Sequence, residues 1–131
     1  MPVIVALIAC ALLVGLASFH ALLLSGKPWG RFVFGGDHDL LPDRLRQGSG
    51  LAIAIYLLFV LITLQGVGLI SPFSELVGII AMWVIPVAFF ANFVMNARSR
   101  SRSEQLVSGP INLVLAALTL IVAITGRVPL N

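Results

Sequence analysis

The chain has 131 residues, of which 60% are apolar and 10% charged, with a formal net charge of +3. A soluble domain averages about 45–50% apolar and about 25% charged residues, so this composition excludes an ordinary water-soluble globule and calls for lipid around part of the surface. The length suits one domain rather than two, and the single cysteine, Cys10, excludes an internal disulfide and any redox cysteine pair.

The first apolar run, residues 2–24, is long enough to cross a bilayer, for which about 20 residues suffice. Nothing basic precedes it and Lys27 follows it, which reads as a retained span rather than a cleaved signal peptide. Residues 25–49 form the one long polar segment. They hold Lys27, Arg31, Arg44 and Arg46, Asp37, Asp39 and Asp43, the aromatics Trp29, Phe32 and Phe34, and the Gly35-Gly36 pair. The second run, 50–70, ends at Ser71-Pro72, where serine suits a helix cap and proline a first helical position. The third run, 72–96, opens with Glu75 in its first turn and carries Pro86 near its middle, a place where a helix tends to kink. A short basic loop over 97–107 leads to Ser108, a candidate cap, and to a fourth run over 108–126.

Four runs with three connections predict an all-α fold, a single integral-membrane antiparallel four-helix bundle. Seven of the eight Lys/Arg residues lie in the two loops 25–49 and 97–107. The positive-inside rule then puts both loops in the cytoplasm and both termini on the non-cytoplasmic side.

His20 is the one ionisable group inside a span, and such groups are candidate functional sites. The plainer reading is an interfacial histidine bonded to a backbone carbonyl or a lipid head group. A neutral imidazole also ligates metals, but a second ligand and a spacing motif are missing, so the cofactor stays open. Asn92 and Asn96, four residues apart, share a helix face; an amide in hydrocarbon is unfavourable, so both should face the bundle or the cytoplasmic head-group layer. With Gln47, Ser49 and Ser108 they put polar groups of all four helices at the cytoplasmic end. Solvation at an interface would crowd them there as well. Trp29 suits an interfacial lid over that end, and Arg44 and Arg46 suit a phosphate.

Other motifs carry less. Gly35-Gly36 has no strand before it and no phosphate-loop pattern. Asp37, His38 and Asp39 are adjacent in sequence, an arrangement that seldom closes on one ion, so no metal is assigned. Arg98, Arg100 and Arg102 alternate with serines and attract anionic lipid or merely set topology. Without interleaved aromatics they fall short of a nucleic-acid footprint, so no nucleic-acid partner is expected. No acidic residue lies mid-span to couple protons, and no protease-type zinc motif occurs.

Pro28-Trp29-Gly30, Gly35-Gly36, Leu41-Pro42 and Leu45-Arg46 lead into Gly48-Ser49, and Asn92, Asn96, Ser99-Arg100-Ser101, Glu104 and Pro110 follow later. This pattern resembles a group of small uncharacterised bacterial four-span inner-membrane proteins. The resemblance covers nearly the whole chain. It implies the fold and a multi-pass location in the bacterial inner membrane, and it implies no activity.

The first functional expectation is a non-enzymatic accessory or assembly subunit of a larger membrane complex. It would contact other integral membrane proteins, or copies of itself as a homo-oligomer, through small residues such as Gly15, Ala17, Gly66 and Gly78. The alternative is a binder of an anionic lipid or small amphiphile at the cytoplasmic end, using His20, Trp29, Arg44, Arg46, Asn92 and Asn96. A second alternative is an oligomeric small-solute transporter or channel with Pro86 as hinge and Asn92 as lining. No catalytic residues are assigned; an enzyme would need His20 as its acid or base.

Overall fold

In the computed structural model, residues 2–25, 43–98, 102 and 104–126 are described, with the backbone alone for 43–46 and 104. The four apolar runs are four helices: α1 (Pro2–Leu24), α2 (Asp43–Gly66), α3 (Glu75–Ala97) and α4 (Gly109–Thr125). The described residues contain no strand. Four stretches are long and apolar enough to cross a membrane: Pro2–Leu24, Gln47–Gly66, Glu75–Ala97 and Gln105–Thr125.

Each helix is apolar on both its inner and its outer face. On α1 the buried side is Ala6, Ala9, Cys10, Leu13, Ala17, His20 and Leu23, a step of three or four residues that keeps one face inward. The opposite side exposes Leu7, Ile8 and Val14. A helix that is hydrophobic all round is stable only where its outer side also meets an apolar medium, which fits a multi-pass membrane protein. The buried cluster draws on all four helices: Ala6, Ala9 and Leu13, Ile62, Met82, Ile85 and Phe89, and Leu115, Ala116, Val122 and Ala123, with Val67 just past α2. The alanines of α1 and α4 let these helices approach closely. Packing is most extensive between α1 and α2 and between α3 and α4; α1 and α4 also pack, α2 and α3 less so, and α2 touches α4 only slightly.

The expected end of the second run at Ile70 moves back to Gly66 for a backbone reason. Gly68 takes a left-handed φ of 79°, its N–H bonds Gln65 O at 3.0 Å, and Leu69 N–H bonds Leu64 O at 3.1 Å. These paired bonds are a Schellman stop, for which glycine is the favoured residue. The third helix also starts later than Pro72. Ser74, not Ser71, is its cap, with Oγ accepting from Val77 N–H at 3.3 Å, and Glu75 sits in the first turn as expected. Pro86 is buried within α3, and the helix runs through it. Ser108 is not a side-chain cap: a π-helical turn over Glu104–Ser108 feeds directly into α4, so Ser108 already has helical backbone angles. Its carbonyl accepts from Asn112 Nδ2 at 2.7 Å.

One side chain organises the α2–α3 connection. Gln65 Oε1 accepts from Phe73 N–H at 2.9 Å, and its Nε2 donates to Phe73 O at 3.1 Å and Ser74 O at 3.3 Å. The amide lies so close over Gly78 that a Cβ there would overlap Nε2. Gly66 serves similarly: its Cβ would lie 3.1 Å from Met82 Sδ and 3.2 Å from Val122 Cγ1. At Gly126, which follows α4, a Cβ would fall 2.6 Å from Gly66 O, so this end of α2 and the end of α4 meet through glycine backbone.

Candidate functional site

His20, the ionisable side chain singled out within a span, is buried at 5% exposure near the C-terminal end of α1. Its Nδ1 lies 3.0 Å from Oγ of Ser49, which is fully buried on the first turns of α2. The expected hydrogen bond to a backbone carbonyl or a head group is thus, at Nδ1, a bond to a neighbouring helix's hydroxyl. Either group can donate, depending on the imidazole tautomer.

Aromatic rings carry this pair across to α3. The His20 ring stands 5.7 Å from that of Tyr56 and 5.8 Å from that of Phe19. Tyr56 stacks on Phe89 at 6.2 Å with 7° between planes, and Phe59 meets Phe89 edge-on at 5.7 Å. Such offset and edge-on pairs contribute roughly 0.5–1.5 kcal/mol each beyond their burial. The link runs α1–α2–α3 and explains why Phe89 is only 1% exposed.

Beyond Phe89 the inner face of α3 changes character. Two columns, each with a spacing of seven residues, form that face: Gly78, Ile85 and Asn92, and Met82, Phe89 and Asn96. The first two members of each column are buried. Asn92 is exposed and Asn96 half-buried. The bundle-facing sector of α3 therefore ends in two amides at the end of the molecule that holds His20 and Ser49. Arg98, the exposed C-cap of α3, follows two residues later, with its N–H 3.2 Å from both Val94 O and Met95 O.

The other expected site residues divide. Trp29 lies outside the described residues, as do the side chains of Arg44 and Arg46, whose backbone opens α2. Of the small residues expected at a partner surface, Ala17 is buried, Gly66 packs against Met82 and Val122, and Gly78 lies under Gln65. Gly15 faces outward with nothing within 4 Å of where its Cβ would be. Pro86, expected as a hinge, is buried within α3, and Asn92, expected as a lining residue, is exposed.

Several polar residues of the interior escape a sequence reading. Gln65 is one. Asn112 and Thr119, seven apart on α4, are both buried, and Thr119 Oγ1 donates to Leu115 O at 2.6 Å. Tyr56 and Thr63 continue the Ser49 stripe of α2 at intervals of seven. Thr63 is fully buried, and its Oγ1 is the one buried side-chain polar atom without a hydrogen-bond partner among the described residues. The spacing of seven that ties Tyr56 and Thr63 to Ser49, and Thr119 to Asn112, becomes a signal once the inner face is known. Cys10 Sγ lies 3.9 Å from Val60 O. Among the described residues, no three of His, Cys, Asp and Glu come together as a metal site.

Comparison with known proteins adds no relative: no family model, no curated protein and no solved structure matches this chain.

Proposed function

We propose that the chain is a non-catalytic protein of the bacterial inner membrane that holds the polar head of a lipid or small amphiphile at the cytoplasmic end of an antiparallel four-helix bundle, with both termini outside. Contact pairs support the antiparallel arrangement. Cys10 meets Val60 while His20 meets Ser49, so α2 recedes as α1 advances. Clustering of Lys27, Arg31, Arg44, Arg46, Arg98, Arg100 and Arg102 in two loops supports the orientation.

The carrying observation is the convergence on one end: His20 bonded to Ser49, joined through Tyr56 to Phe89, with Asn92 and Asn96 opening just beyond. Buried polar groups in a membrane protein mark functional positions, and these lie beside the basic loops that attract anionic lipid. A serine bonded to an imidazole is also half of a nucleophile–base pair. Ser49 is fully buried, however, and the pair is read as a link between α1 and α2. The test is lipid analysis of purified wild-type protein and of Arg44→Ala/Arg46→Ala. Wild-type chain should carry a defined anionic lipid that the variant loses; identical lipid content in both would rule against this reading.

A second reading, an accessory subunit docking on a partner's transmembrane helix, draws on Gly15. It lies outward between exposed Ala11 and Ser18, a spacing of small residues that admits close helix approach. Gly15→Leu should then release a co-purifying membrane protein without changing the thermal stability of the chain itself; a partner retained by the variant would dismiss the docking face.

A further inference from the structure

We infer that the headgroup enters laterally, between α2 and α3, and is a phosphodiester held by the Asn92 and Asn96 amides with Arg98 at its edge. This rests on the headgroup-binding reading above and assigns it a ligand class and a route.

The α2–α3 contact is the observation that carries it. These helices follow each other in sequence, yet they pack less extensively than α1 with α2 or α3 with α4. They are pinned at one end by the Gln65 amide over Gly78 and by Gly66 against Met82. Midway they meet through Tyr56 and Phe59 on Phe89. One turn further, about 4.5 Å along the axis, the same inner face of α3 is open at Asn92, and one turn beyond that it is half-open at Asn96. The inner face of α3 is thus covered by α2 at Gly78, Met82 and Phe89 and uncovered at Asn92, so the amides follow directly on the buried Phe89–Tyr56 stack.

The chemistry of these amides selects the ligand. Each asparagine amide supplies two N–H donors and a carbonyl acceptor without charge, so it can sit at this depth where an ion is unfavourable. An exposed amide near hydrocarbon gains most from an acceptor brought by the surrounding lipid. Arg98, exposed at the end of α3, and Arg102, exposed just beyond, add positive charge on the water side. Phosphate oxygens satisfy amide donors and guanidinium together, and the acyl chains can follow the exposed apolar side chains of α3, such as Val87 and Phe90, into the bilayer. A free phosphate offers the same oxygens without the tails.

The experiment is native mass spectrometry of detergent-purified protein in mixed micelles. The micelles hold phosphatidylglycerol, phosphatidylcholine or a neutral diglycosyl diacylglycerol, with inorganic phosphate as competitor. Wild-type, Asn92→Leu/Asn96→Leu, Asn92→Ala/Asn96→Ala and Arg98→Gln chains are compared, with a melting curve for each to verify the fold. Wild-type protein should retain both phospholipids over the glycolipid. Both asparagine pairs should weaken that retention by about tenfold or more, and Arg98→Gln should weaken phosphatidylglycerol more than phosphatidylcholine. Phosphate should leave the lipid in place; displacement would give the site to a free anion and overturn the lipid. Folded asparagine variants that keep wild-type phospholipid retention would overturn this location while leaving headgroup binding standing. A wild-type chain that retains no amphiphile would remove both.

Discussion

Gln65 and Gly78 make opposite demands on one small space, and a double-mutant cycle between them has a predicted change of sign. The Gln65 amide makes three hydrogen bonds, to Phe73 N–H at 2.9 Å, Phe73 O at 3.1 Å and Ser74 O at 3.3 Å. At roughly 1 kcal/mol each, and with water able to replace part of this at a half-exposed turn, Gln65→Ala should destabilise the chain by about 1–3 kcal/mol. Gly78→Ala in the wild-type background puts a Cβ onto Nε2. The amide must swing away and surrender the same bonds, so a comparable loss is expected. In the Gln65→Ala background the space is empty, and Gly78→Ala should become neutral or stabilising by up to about 1 kcal/mol through helix propensity alone. The coupling is therefore about 2 kcal/mol, well above the few tenths expected for independent sites. Equilibrium unfolding in mixed detergent–dodecyl sulfate micelles, followed by circular dichroism, measures all four corners. Equal effects of Gly78→Ala in both backgrounds would refute the clamp.

Other substitutions test the interior and the caps. Ser49→Ala should cost about 0.6 kcal/mol, the average for hydrogen bonds between membrane helices, and at most about 1.7 kcal/mol, and most of that should vanish in a His20→Leu background; additive effects in the same unfolding assay would deny the 3.0 Å bond. Thr63→Val should be neutral or stabilising, because it replaces a buried hydroxyl without a partner by a methyl group of the same shape; a loss above about 1 kcal/mol would mean the hydroxyl is bonded in the membrane. Ser74→Ala should destabilise by about 0.5–2 kcal/mol as a lost N-cap, while Ser71→Ala should be silent; the reverse order would restore the earlier helix start.

Length and hydropathy alone delimit the four spans, because a run of about 20 apolar residues has few other soluble or membrane-bound fates. The element ends were less legible. Ser71-Pro72 reads as well as a helix start as Ser74-Glu75 does. The difference lies in Gly68, whose left-handed backbone stops α2 early and lengthens the turn. At the site, His20 and Ser49 could be placed at one depth from helix direction, but their contact depends on rotation about each axis, which hydrophobic periodicity cannot fix when both faces are apolar. The same ambiguity hid the inward position of Ala17, Gly66 and Gly78, small residues that serve a partner or the chain itself equally well. Gln65 gave no signal because its partners are backbone groups, which every residue has. Asn112 and Thr119 fill the inner face of α4 at a spacing of seven, a pattern visible in the sequence only once the inner face is known.

The central claim, a headgroup held at the His20–Asn96 end of the helices, is tested most directly by native mass spectrometry of the protein extracted with its surrounding membrane in polymer nanodiscs. The expected result is a chain, single or homo-oligomeric, that carries one defined phospholipid per copy through activation that strips the bulk lipid. A chain that sheds all lipid, or one held instead at fixed stoichiometry to a different membrane protein, would contradict it.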